Sequence, residues 1–155
     1  MKENIEKLSL CIERESKHFL TESMNLELLN SQEIAAPPLT PHIALIDLAN
    51  SKKFTILIAI KESLFKALFD CFFPDGVPRD EQAELDDALP DEIINTIVGL
   101  SIQCFPSEYA DLELSIPYKL REDVISRMLQ QSIFKSLEIV TCKGSFYCVI
   151  LSIEE

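Results

Sequence analysis

A chain of 155 residues, 47% hydrophobic and 26% charged, is sized for one hydrophobic core and is too apolar for a disordered segment. Its 14 basic against 26 acidic side chains leave a formal charge of -12, which repels phosphate backbones and anionic lipid and excludes nucleic-acid and membrane binding. No run approaches the roughly 20 apolar residues of a membrane span, and the opening MKENIEKLSL is too charged for a signal peptide, so a single cytoplasmic domain over residues 1–155 is expected.

Residues 3–22 set Ile5, Leu8, Ile12, Phe19 and Leu20 at helical spacing among charges, which predicts a helix. The prolines of NSQEIAAPPLTP then predict an irregular connection. HIALIDL and FTILIAI, joined by ANSKK, read as a hairpin. SLFKALFDCFF places Leu64, Ala67, Leu68, Cys71 and Phe72 on one helical face, and the loop PDGVPRD ends it. Residues 80–104 form the next helical region, with a break expected near Ala88 to Pro90 because Pro90 has no amide to donate.

In DLELSIPYKL, Leu112, Leu114 and Ile116 alternate with polar neighbours, which predicts a half-buried strand ended or bent by Pro117. REDVISRMLQQ fits more than one element type. SLEIVT and SFYCVILSI flank CKG, where Gly144 suits a tight hairpin turn. The order helix, hairpin, helix, helix, strands predicts an α/β fold of the α+β kind: a mainly antiparallel sheet of about six strands with helices packed on it.

The five cysteines (Cys11, Cys71, Cys104, Cys142, Cys148) are odd in number and form no C-x-x-C pair, so they read as small core hydrophobes rather than a disulfide framework or a thiolate metal site. His18 and His42 are too few for a histidine metal site or a Ser-His-Asp arrangement, and no metal ligands are assigned. The acidic run DEQAELDD reads as solvated helix surface that could also steer a basic partner.

The chemically distinctive stretch is ALPDEIINTIVGL, residues 88–100. On a helix Glu92, Asn95 and Gly99 fall within about 60° of one another, with Thr96 alongside them, while Ile93, Ile94, Ile97, Val98 and Leu100 fill the rest of the wheel. Interior Gly costs roughly 1 kcal/mol relative to Ala and Asn about half that, so helix stability does not explain the stripe. A neutral Asn amide cannot be a general base, but its acceptor oxygen and two donors can orient an attacking water. Phosphoryl transfer rewards that kind of positioning.

ELDDALPDEIINTIVG, residues 84–99, closely resembles the signature helix of the CheX/CheC chemotaxis phosphatases. That family's pattern sets an Asp or Ser, a Glu and an Asn on successive turns of one helix, with a proline about two dozen residues on. Glu92 and Asn95 match, Gly99 sits where many members have glycine, and Pro117 lies at the downstream spacing; the leading Asp/Ser position is Ala88, and Pro90-Asp91 replaces an apolar-Gly pair. Two further Glu-x-x-Asn matches, Glu22/Asn25 and Glu27/Asn30, lack this context.

The resemblance implies a phosphatase acting on a phosphorylated CheY-type response regulator. Asn95 would position the water, Glu92 would pair with the regulator's active-site lysine, and Ala88, Thr96 and Gly99 would face the partner. No cofactor of its own is implied, because the Mg²⁺ is expected on the regulator. The resemblance also implies a homodimer formed by joining sheets, to which the apolar FYCVILSI would lend itself as an exposed edge. A non-catalytic interaction module on the same fold, as in flagellar switch proteins, stays open beside the enzyme.

Overall fold

Residues 2–153 are described by the computed structural model. The chain opens with α1 (Lys2–His18), whose buried face is Ile5, Leu8 and Ile12 with the small Ser9 and Ser16 between them. A π-helical turn at Phe19–Ser23 follows, closed by the Met24 amide donating to the Phe19 carbonyl at 3.0 Å. Asn25, at φ 55°, then reverses the chain into β1 (Leu28–Ile34). Next come β2 (His42–Ala49), β3 (Lys53–Ile60), α2 (Glu62–Phe72), α3 (Gln82–Ile102), β4 (Glu113–Leu114), α4 (Glu122–Gln130), β5 (Ser132–Thr141) and β6 (Gly144–Ile153).

The six strands form one sheet in the order β1-β5-β6-β3-β2-β4, antiparallel throughout. Ala44, Ile46, Phe54, Ile56, Ile58, Ile60, Leu137, Ile139, Phe146, Cys148 and Ile150 point to one face, where α1, α2 and α3 cover them. Ile43, Leu45, Leu57, Ala59, Tyr147, Val149 and Leu151 point to the other, under Ile125, Met128 and Leu129 of α4. Strand β3 is therefore buried on both sides, which is why FTILIAI is apolar without alternation.

The β5–β6 turn needs its glycine: Gly144 has φ 136°, and a Cβ there would come within 2.5 Å of Ser63 Oγ and 3.2 Å of the Leu64 amide nitrogen.

Five expectations are corrected. NSQEI belongs to β1, which carries a mostly exposed polar sequence and exists because it pairs with β5. The helix over Pro90 does not break. A proline inside a helix costs about 3 kcal/mol, but Leu89, Ile93, Ile94, Ile97 and Val98 are buried around it, at roughly 1.5–3 kcal/mol each, and outweigh that cost.

The strand through Ile116 stops at Leu114, and Ile116 is exposed rather than half-buried. Four cysteines are not core residues: Cys148 alone is buried, Cys11 and Cys104 are half-buried, and Cys71 and Cys142 are exposed. The run FYCVILSI lies in β6, a central strand paired on both sides, so it offers no edge for dimerisation.

Candidate functional site

Helix α3 turns Leu89, Ile93, Ile94, Ile97 and Val98 into the core and leaves Ala88, Glu92 and Asn95 exposed. This is the registration that the apolar spacing dictates, since residues three and four apart share a face. Glu92 makes no ion pair among the described residues. The Thr96 hydroxyl donates to the Glu92 carbonyl at 2.9 Å, which turns it back onto its own helix. Gly99 is half-buried, and nothing within 4 Å would meet a Cβ built on it.

The opposite wall of the site comes from the segment after β4. Its ends are pinned to β2. The Ser115 amide donates to the Asp47 carbonyl at 2.9 Å, and the Asp47 amide donates to Ser115 Oγ at 2.9 Å. Three residues on, the Leu45 and Tyr118 amides and carbonyls exchange two bonds of 2.9 Å. Between these anchors Ile116 and Pro117 arch away from the sheet. Proline suits the arch because it brings no amide that would need a partner.

Two side chains brace the far end of the arch. The Tyr118 hydroxyl donates to Asp47 Oδ1 at 2.7 Å; burial, and then that carboxylate, hold the phenol well above its usual range. Lys119 Nζ donates to the Ile43 carbonyl at 3.3 Å and to Asp91 Oδ1 at 3.1 Å, which ties the arch directly to α3.

The result is an open groove of about 430 Å³ between α3 and the arch, lined by Ala88, Asp91, Glu92, Asn95, Ser115, Ile116 and Pro117. It brings together Ala88, Glu92, Asn95 and Pro117 from the sequence-predicted set. Thr96 and Gly99 share the stripe on α3 but lie outside the groove lining.

Asp91, Ser115, Ile116 and Lys119 were missed by sequence reasoning. Asp91 looked like a departure from a pattern, and its ion pair with Lys119 is a tertiary contact that no local spacing encodes. Among the described residues no group of three or more His, Cys, Asp or Glu side chains is arranged to hold a metal ion.

The groove can receive a convex partner that brings its own cation to Glu92 and a small polar group to Asn95. Asn95 offers an uncharged amide, whose oxygen and two donors suit it to orienting a small polar group, and Glu92 offers a carboxylate about one turn away.

No protein-family model matches the sequence, and no curated protein does. Solved structures do share its fold. The chemotaxis protein CheX from Vibrio vulnificus is 16% identical with a TM-score of 0.67, over 94% of this chain and 95% of that one. A chain of the CheX–CheY complex with beryllofluoride and Mg²⁺ from Borrelia burgdorferi is 12% identical with a TM-score of 0.62, over 94% and 96%. The middle domain of FliM from H. pylori is 11% identical with a TM-score of 0.56, over 99% and 93%. This chain has the CheC/CheX-like α+β fold.

Proposed function

We propose that the chain is a phosphatase for a CheY-type response regulator and acts by positioning the water that attacks the regulator's aspartyl phosphate. One observation carries this reading. Glu92 and Asn95 stand exposed about one turn apart on α3, facing an open groove, on a fold shared with a CheX solved together with CheY. The free carboxylate of Glu92 meets the regulator's lysine, and the Asn95 amide orients the water in line with the phosphorus. The water oxygen bonds to phosphorus as the acyl P–O bond breaks, the regulator's aspartate leaves as carboxylate, and the surplus proton goes to the released phosphate. Mg²⁺ arrives with the regulator as part of the substrate. Gly99, which nothing inside the molecule requires, admits close approach of the partner to the helix. The same reading places the protein in the cytoplasm, as a homodimer.

The test follows loss of phosphate from a phosphorylated CheY-type regulator. Asn95→Ala is expected to leave regulator binding nearly intact and to cut hydrolysis by about 10²-fold, or about 2.7 kcal/mol, because the contact is made mainly in the transition state. Glu92→Ala is expected to weaken both docking and rate. Hydrolysis by Asn95→Ala at the wild-type rate would overturn the water-positioning role.

A second reading, a non-catalytic interaction module, is favoured by two observations. Ala88 removes the polar group that the signature carries at that position, and the FliM middle domain shares the fold. Under it, wild type binds a receiver domain without accelerating phosphate loss.

A further inference from the structure

Ile116 is 84% exposed, more than any other large hydrophobic side chain of the described residues, and it stands on the wall of the groove facing Glu92 and Asn95. Its position is not slack in the chain. Hydrogen bonds hold Ser115 and Tyr118 to β2 on either side of it, Pro117 stiffens the arch, and Lys119 ties the arch to Asp91 of α3. A large apolar side chain is thus held out in water, at fixed geometry, opposite a carboxylate that has no ion-pair partner among the described residues. The combination matches the make-up of a binding hot spot, an apolar anchor next to a charged contact, with little ordering left to be done on association.

We infer that Ile116 is the apolar anchor of the docking surface and determines which receiver domains the site accepts. The occupant is a folded receiver domain that presents an apolar depression next to the lysine reaching Glu92. Charge complementarity supports the lysine of that partner: Glu84, Asp87 and Glu92 line the exposed side of α3, the chain carries a formal charge of -12, and the adjacent Lys119 is already engaged by Asp91. This rests on the reading of α3 as the face that meets a receiver domain. Ile116 acts on affinity; Asn95 acts on the reaction.

The experiment titrates a CheY-type receiver domain, activated with beryllofluoride and Mg²⁺, against wild type, Ile116→Ser, Asn95→Ala and Leu10→Ser. Leu10 is 66% exposed on α1, outside the groove, and controls for general stickiness. Ile116→Ser is expected to raise Kd about tenfold, equivalent to 1.4 kcal/mol, and to raise KM for the phosphorylated regulator with kcat unchanged. Its thermal unfolding should match wild type, because an exposed side chain contributes little to the core. Wild-type Kd in Ile116→Ser, or an equal loss in Leu10→Ser, would overturn the anchor while leaving the site reading intact. Failure of wild type itself to bind would overturn the site reading and the anchor with it.

Discussion

At Gly99 the molecule itself gives no reason for glycine. Its backbone is helical, and a Cβ would find open space. Gly99→Ala is therefore expected to raise stability by about 0.5–1 kcal/mol, seen as a higher urea midpoint with unchanged slope, while slowing regulator dephosphorylation several-fold. Full activity in that variant would remove the close-approach role. The outward face of α3 was legible in the sequence because Ile93, Ile94, Ile97 and Val98 leave a single solvent-facing stripe, and Glu92 and Asn95 fall on it. Ile116 was not legible. Strict alternation assigns it to the same side as Leu112 and Leu114, and only the end of pairing after Leu114 releases it to solvent. Composition also misplaced the cysteines. Cys148 fits the core expectation, with burial pushing its thiol up to about 12, whereas Cys142 sits in the β5–β6 turn and Cys71 near the end of α2.

The two site-bearing elements were read with unequal success, for a physical reason. Helix α3 shows its face by period, but the arch is defined by what its ends bind on β2. That difference yields two predictions. Tyr118 has a folded-state pKa above its usual value of 10.0, so the folded chain holds this proton more tightly than the unfolded one. The stability it contributes is present below about pH 10 and is lost as pH rises through the folded value. Tyr118→Phe should show a shallower fall in urea midpoint between pH 9 and 11, the range around the unfolded phenol at about 10. Tyr109 and Tyr147, also raised by burial, keep the remaining slope.

The second concerns Lys119, whose ion pair with Asp91 is about one-third exposed on each side and so contributes at most about 1 kcal/mol to global stability. Lys119→Ala should leave the unfolding midpoint nearly unchanged but speed hydrogen exchange at the Leu45 and Tyr118 amides several-fold. Unchanged exchange would mean that the β2 hydrogen bonds hold the arch alone.

For the whole molecule, the strand count and the helices on the sheet were legible from element order, whereas the sheet order was not. The apolar run of β6 finds its neighbours inside the sheet, between β5 and β3. The long free edge that remains is β1, with Leu28 and Leu29 36% and 59% exposed; the other edge, β4, is two residues long. If the chain forms a dimer by sheet joining, β1 is the strand that does it. Leu29→Lys is then expected to shift sedimentation toward monomer at tens of micromolar, and a dimer untouched by it would have to use another surface.

The sheet order also sets a schedule for synthesis. Of the six strands, β6 emerges last from the ribosome, yet it occupies the interior of the sheet and is the only bridge between β5 with β1 on one side and β3, β2 and β4 on the other. Until residues 144–153 are free, β3 has an open edge and the β2–β3 hairpin has no link to the strand that will carry β1. The nascent chain therefore holds two unfinished halves, and the groove, although α3 and its arch are already translated, rests on a sheet that closes only when the final strand slides into the middle.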